Sequence, residues 1–379
     1  MNTYKKSDSI SSLSTQDDKS QEVKLRIQRL YGNLDKGAES YGVLKAACED
    51  LLGLNDSVQL ERPLFSLRAH VVEEISRLQD AEIARYLFYR YRYDIYPLTH
   101  EVDQFPPCVQ IEPASICNYR CVFCYQTDSA LTKPANGHMG MMDLDLFKTI
   151  VDQIEGSVEA VTLASRGEPL IHKKIVQMLS YLEGKFLALK MNTNAWYLDE
   201  EKIHAILQAG VNTLVFSADA AEEPLYSQLR VNGDLDRVIR NIEKFQNIRL
   251  NEYPSSRIIT RVSGVKYNEK QDFESMQSVW SDLVDQVAFV DYVPWENVYQ
   301  KPANEVDQPC SDLFRRMFVW WDGRTNPCDV DYLSTLCAGN AKVSKVSDIW
   351  KGETYSQLRQ KHLAEKRGMV EPCKRCNVV

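Results

Sequence analysis

Ile111-Glu-Pro-Ala-Ser-Ile-Cys117-Asn-Tyr-Arg-Cys121-Val-Phe-Cys124-Tyr125 sets three cysteines at Cys-x3-Cys-x2-Cys spacing, just after the apolar run Cys108 to Glu112. Three thiolates on one short loop can hold three irons of a cubane cluster and leave the fourth iron open. An open iron is a substrate site. The rival reading is a partial zinc site, but zinc takes four ligands, commonly as Cys-x2-Cys pairs set apart in the chain.

Outward from this loop, short β-rich runs alternate with amphipathic helical patterns. The runs are Cys108 to Glu112, Ala160 to Ala164, Phe186 to Asn192, Thr213 to Ala218, Arg257 to Val262 and Val287 to Val290. Such alternation predicts parallel strands joined by right-handed helical crossovers. Six units fall short of a closed eight-unit barrel, so an α/β fold with an open, partial (β/α)6 barrel is expected over 106–293. Its functional residues should lie at the C-terminal strand ends.

Upstream, residues 1–21 are nearly devoid of aliphatic side chains and are expected to be disordered. From 22 to 105 apolar residues recur at helical spacing and predict an N-terminal region of three or four helices. Its tract Tyr86-Leu-Phe-Tyr-Arg-Tyr-Arg-Tyr-Asp-Ile-Tyr96 interleaves aromatics with arginines, as a base-stacking surface would. Tyr86, Tyr89, Tyr93 and Tyr96 follow three- and four-residue steps, however, so a helix face packed on the next domain is the stronger reading. Downstream, 294–379 is expected to form a separate, small, cysteine-rich module stapled by metal.

The chain has 379 residues, ten cysteines and a formal net charge of -8. That charge gives no general reason to bind nucleic acid or an anionic membrane, and favours a small-molecule or peptide substrate. No apolar run reaches spanning length and Met1 to Glu22 lacks a signal-peptide core, so a cytoplasmic protein is expected. Thiols there stay reduced, which makes metal ligation the default for clustered cysteines. Cys48 and Cys108 lie in apolar patterns and read as core packing.

With that loop placed after the first strand, the chain resembles the radical S-adenosylmethionine (SAM) superfamily. The resemblance implies a [4Fe-4S] cluster on Cys117, Cys121 and Cys124, whose open iron chelates SAM. An electron, from a reducing donor of flavodoxin or ferredoxin type, then cleaves SAM to a 5′-deoxyadenosyl radical. It further implies Phe123 against adenine, and Gly167 and Glu168 receiving the SAM ammonium, with Arg166 standing where the family carries its first glycine. Asn192 and Asn194, then Ser217 and Asp219, fall where the family puts polar groups on the SAM ribose and carboxylate. Arg230 is the implied carboxylate contact. Taken singly, Asn192 could be a cap, Asp219 a helix start and Glu168 a solvated acid.

Pro309-Cys310, Asp322-Gly323-Arg-Thr-Asn-Pro-Cys328 and Pro372-Cys373-Lys-Arg-Cys376 resemble the SPASM/twitch extension of the same superfamily. A glycine at Gly323 suits a tight hairpin that returns the second cysteine to the first. The resemblance implies a second, auxiliary [4Fe-4S] cluster on Cys310, Cys328, Cys373 and Cys376, with a four-cysteine zinc site as the alternative. Cys337 is either a buried thiol or a substitute ligand.

Four cysteines saturate an auxiliary cluster, so electron transfer is its most economical role. An enzyme is expected that oxidises or rearranges a carbohydrate-like small molecule, with the auxiliary cluster as electron acceptor; single-cluster twitch relatives include an aminocyclitol dehydrogenase. The alternative is maturation of a ribosomally made peptide by a thioether or carbon-carbon crosslink. Such maturases commonly carry a winged-helix unit with a strand hairpin, which the helical pattern over 22–96 lacks. No catalytic base is evident in the sequence.

Overall fold

The computed structural model describes residues 3–5, 17–55, 62–293 and 298–379. Four helices come first: α1 (Asp17–Gly32), α2 (Tyr41–Leu51), α3 (Ala69–Ser76) and α4 (Asp80–Thr99). A capping box starts α4, where the Gln79 backbone N–H donates to Glu82 at 2.7 Å and the Gln79 side chain accepts from the N3 backbone. The expected disorder of residues 1–21 holds neither at Tyr4, which forms a parallel bridge with Val378, nor from Asp17, where α1 begins. Residues 1–2, 6–16 and 294–297, which include the expected start of the C-terminal module, lie outside the described residues.

Strand β1 (Cys108–Ile111) leads into the cysteine loop, which contains β2 (Arg120–Cys121) and is followed by α5 (Ser129–Thr132) and α6 (Leu144–Ile154). Then come β3 (Ala160–Leu163), α7 (Ile175–Leu182), β4 (Ala188–Thr193), α8 (Glu200–Gln208) and β5 (Thr213–Ser217). Next are α9 (Leu225–Leu229), β6 (Arg230–Val231), α10 (Leu235–Glu252), β7 (Ile259–Lys266), α11 (Phe273–Ser281) and β8 (Gln286–Asp291). All six expected strands are present and pair in parallel, in the order β1-β3-β4-β5-β7-β8. On α6 the apolar residues Phe147, Ile150, Val151 and Ile154 recur at helical spacing and are all buried against the sheet, while Asp143 caps the start of the helix.

The C-terminal segment corrects the expectation of a separate module. It comprises α12 (Asp312–Arg315), β9 (Arg316–Val319), β10 (Arg324–Asn326), β11 (Gly339–Asn340), α13 (Val346–Lys351) and α14 (Glu353–Leu363). β9 pairs in parallel with β1, Cys108 opposite Arg316 and Ile111 opposite Val319, so one nine-stranded sheet runs β11-β10-β9-β1-β3-β4-β5-β7-β8. Met317, Val319, Trp350 and Tyr355 belong to the same buried core as Val109, Ile111 and the barrel helices. A strand edge left open at β1 must be paired or covered, and β9 does this. The hairpin between β9 and β10 turns at Gly323 with φ +85°, as its sequence predicts.

The helical region closes the N-terminal end of the barrel. Tyr86, Tyr89 and Tyr93 form an edge-to-face row at 5.9 and 6.0 Å along α4 and line the barrel interior, so the packing reading of the tyrosine tract is the one realised. Cys48 and Cys108 are buried in the apolar core of this region. Among the described residues no helix is long and apolar enough to cross a membrane.

Candidate functional site

Gly167 sets how closely the turn after β3 approaches the cysteine loop. A Cβ there would lie 2.4 Å from the Ala114 carbonyl oxygen and 2.5 Å from that of Ile116. The next residue, Glu168, donates its backbone N–H to Ile116 at 2.9 Å. Gln126 clips the same junction, its amide donating to the carbonyls of Ser115 (2.7 Å) and Arg166. Gln126 was not singled out by the sequence, because one glutamine after a cysteine motif carries no pattern.

Cys117, Cys121 and Cys124 come together on this loop. The Cys117 and Cys124 sulfurs accept backbone N–H groups from Tyr119 (3.4 Å) and Gln126 (3.5 Å), and Arg230 Nη1 lies 3.7 Å from Cys121 Sγ. This last contact follows from the ribbon β2–β6, which sets Cys121 opposite Arg230. Burial, then the Glu168 carboxylate, pushes the Cys117 thiol up to about 12; burial and neighbouring thiols also raise Cys124. Buried thiols of this kind ionise when a cation binds them, and nearby N–H and guanidinium donors favour the ionised form. The donor set therefore fits an iron cluster bound through thiolates.

Each expected SAM contact has a definite place. Glu168 is buried and accepts from Leu170 N (3.0 Å), Thr193 Oγ1 (2.7 Å) and Asn194 N (2.7 Å). A carboxylate offers about four lone-pair directions, so one is left for a ligand. Burial raises the pKa of Glu168, opposed by these bonds. The Asn194 amide donates to Asn118 Oδ1 at 2.9 Å and lies 3.9 Å from Cys117 Sγ. Asp219 is fully buried, accepts from Val265 N at 2.6 Å and forms an ion pair with Arg230 at 2.6 Å. Phe123 is buried between Tyr267, with ring centres 5.6 Å apart, and the Arg230 guanidinium at 5.9 Å. Ser217 ends β5, half-buried, beside these groups. Asn192 stands apart: it faces the barrel interior, and among the described residues its buried Oδ1 has no hydrogen-bond partner.

Arg166, at the position of the missing glycine, avoids positive φ and has work of its own. Its guanidinium makes a two-pronged bond to Glu112, Nε to Oε2 at 2.7 Å and Nη2 to Oε1 at 2.6 Å. It also donates to the Tyr332 carbonyl at 2.9 Å and lies 4.3 Å from the Trp320 ring. Glu112 in turn accepts from the Trp321 backbone at 3.2 Å, so this buried pair joins the turn after β3 to the C-terminal segment.

Cys310, Cys328, Cys373 and Cys376 gather at the other end of that segment, where each is an electrostatic neighbour of at least one other. Burial raises Cys310 to about 11, while Arg367 acts the other way. Arg367, also missed in the sequence, is buried and donates to the carbonyls of Gln308 (3.0 Å), Cys373 (3.3 Å), Cys376 (2.7 Å) and Val378 (2.8 Å). Cys337 is exposed, which corrects the buried-thiol reading, and its sulfur faces the Gly339 carbonyl. Among the described residues no three His, Cys, Asp or Glu side chains are gathered as tightly as a single metal ion needs.

Residues 111–276 match the Radical SAM superfamily, and residues 310–377 match SPASM, an iron-sulfur cluster-binding domain. The chain therefore carries a radical SAM domain followed by a SPASM domain. It is an enzyme whose cofactors are SAM, a SAM-binding [4Fe-4S] cluster and an auxiliary iron-sulfur cluster. It is 21% identical over 316 residues to the tungsten-containing aldehyde ferredoxin oxidoreductase cofactor-modifying protein of Pyrococcus furiosus, covering 71% of this chain and 86% of that one. It is 20% identical over 282 residues to the SAM-dependent 2-deoxy-scyllo-inosamine dehydrogenase of Niallia circulans, covering 73% and 95%. Among solved structures, Streptococcus suis SuiB bound to its precursor peptide SuiA shares the fold with a TM-score of 0.55, at 14% identity over 89% of this chain and 83% of that one.

Proposed function

We propose that this enzyme oxidises a small, polar, carbohydrate-like molecule held inside the barrel. The observation that carries the reading is a cavity of about 420 Å3, within the ordinary range of small-molecule sites, roughly 300–1,000 Å3. Ser165 and Asn192 line it on the side of the cysteine loop, and Tyr86, Tyr89 and Tyr93 of α4 line it on the other. Gln110, Thr162 and Thr213 give it hydrogen-bonding walls suited to hydroxyl groups. The likeness to 2-deoxy-scyllo-inosamine dehydrogenase supports the same class.

In this reading Cys117, Cys121 and Cys124 hold the SAM-binding cluster, and Cys310, Cys328, Cys373 and Cys376 the auxiliary one. When bound, these cofactors supply a hydrogen-abstracting radical and an electron acceptor. The chain's own residues position and enclose. Gly167 lets the turn after β3 press on the cysteine loop, and Glu168 keeps one lone pair for the SAM ammonium. Asn194 and Ser217 face the remaining polar groups of SAM, and Phe123 flanks adenine. Asp219 orients Arg230 beside Cys121. Asn192, whose oxygen is unpartnered among the described residues, is left to face SAM and substrate.

Peptide maturation is the second reading, favoured by the likeness to SuiB. The test is anaerobic incubation of the reduced holoenzyme with SAM and a panel of monosaccharides and aminocyclitols. The expected result is substrate-dependent 5′-deoxyadenosine with a product two mass units lighter. Acceleration by a precursor peptide alone would overturn the proposal.

A further inference from the structure

The cavity wall is not neutral. Eight arginine and lysine side chains line it against three carboxylates, so its lining carries an excess of positive charge. Most of these cations are satisfied locally. Arg68 and Arg90 share Asp94, Arg77 pairs with Glu73, Arg257 with Glu82 and Arg316 with Asp312. Arg315 donates to the Tyr93 carbonyl. Two remain. Arg261 is buried and, among the described residues, its hydrogen bonds go to the neutral Gln286 amide, at 2.6 and 2.9 Å, with Glu74 acting on it at longer range. Lys190 points inward from β4, in the layer it forms with Gln110, Thr162 and Thr213, and among the described residues no acceptor lies within hydrogen-bonding distance of its ammonium. Its charge is opposed by burial, then by Arg261 and Arg316, with Cys108 and Glu74 acting the other way, which lowers its pKa to about 8.

Glu74 also lines the cavity and acts on both cations, but among the described residues neither has a carboxylate in ion-pair contact. Two such cations in one enclosed space are a poor way to build a core, because methionine or leucine would fill the same volume without the desolvation cost. They are a good way to receive an anion, which removes that cost on binding. We propose that the cavity takes a substrate bearing an oxyanion, a phosphate or a carboxylate, which seats on Lys190 and Arg261. The oxidisable carbon then faces the side lined by Ser165 and Asn192. This inference rests on the reading of the barrel interior as the substrate chamber, and it narrows the class from polyols in general to acidic ones.

The experiment is anaerobic calorimetry on the holoenzyme with SAM, using glucose 6-phosphate, glucuronate and glucose as probes. At least tenfold tighter binding of one charged probe than of glucose is expected, and which of the two binds tighter tells phosphate from carboxylate. Lys190→Met and Arg261→Met should each remove the preference. Equal binding of all three probes, or an undiminished preference in a folded Lys190→Met protein, overturns the proposal. A measurement on the unaltered chain guards against variants that fail to fold. Cyanate should carbamylate Lys190, read by peptide mass spectrometry, and inorganic phosphate should protect it; equal labelling with and without phosphate overturns the proposal. Oxidation is scored separately. Tight anion binding without an oxidised product sinks the oxidation reading and keeps this one, and an oxidised product from glucose bound as tightly as the charged probes does the reverse.

Discussion

Glu112→Gln is the sharpest test of how the two cofactor-binding parts are held together. Glu112 and Arg166 are both wholly buried, and the carboxylate takes two guanidinium bonds at 2.6 and 2.7 Å plus the backbone N–H groups of Arg166 and Trp321, each at 3.2 Å. The amide keeps the shape but turns an NH2 group toward a donor, leaving a buried guanidinium without its counter-charge. Breaking a buried pair from one side costs about 3–5 kcal/mol. Set against a total stability of about 5–15 kcal/mol, that is a large share. With a urea slope of about 3 kcal/mol per molar, the midpoint should fall by roughly 1–1.7 M. Tryptophan fluorescence and circular dichroism, followed anaerobically on the holoenzyme, would report it. The double variant Glu112→Met, Arg166→Met should regain at least half the loss, because no charge is then left unpaired. A single-variant shift equivalent to less than about 1 kcal/mol, or a double variant no better than the single, would refute the reasoning.

Three further outcomes follow from the geometry. Gly167→Ala forces a methyl to within 2.4 Å of the Ala114 carbonyl oxygen, so the reconstituted protein should lose most SAM cleavage while keeping the iron bound by the C-terminal cysteines, as read by 5′-deoxyadenosine yield against iron content. Arg367→Met removes four bonds to the backbone around Cys373 and Cys376 and should halve the iron content, whereas full iron would assign Arg367 to packing alone. His70 is buried and accepts from Arg90 at 2.7 Å; burial, then Arg90, Arg68 and Arg261, lowers its pKa to about 2. The unfolded chain therefore binds the extra proton below about pH 6.5, and the His70 contribution, full above that pH, is lost as pH falls toward 2, at about 1.4 kcal/mol per unit. His70→Gln should flatten that slope, and an unchanged slope between pH 6.5 and 4 would contradict it.

The local record in the sequence was good. Strand positions, the cysteine loop and the Gly323 turn are written in period and in residue type, which a single chain displays directly. Pairings between distant segments are not. Nothing in Arg316–Val319 announces β1 as its neighbour, and so the C-terminal cysteines suggested a separate module where the chain builds one sheet. The same limit hid partners. Asp219 and Arg230 were singled out in the sequence as separate polar groups, but their ion pair requires β7 and the β2–β6 ribbon to be in place. Lys190 and Arg261 sit at inward positions of strands that read as core, and alternation tells which face a residue takes without telling what that face encloses. Arg367 follows no motif at all, since what it binds is backbone carbonyl oxygen.

The partnership of β1 with β9 also sets an order of events when the chain is made. Synthesis delivers β1 and its cysteine loop early, but the strand that covers its outer edge emerges roughly 200 residues later, and contacts of such separation form slowly. Until then Val109 and Ile111 have a partner on one side only, in β3. The nascent barrel is therefore an incomplete sheet with an adhesive edge through most of its translation. A chain cut short before Arg316 should be captured by chaperones or aggregate, even though it contains every residue of the first cysteine loop.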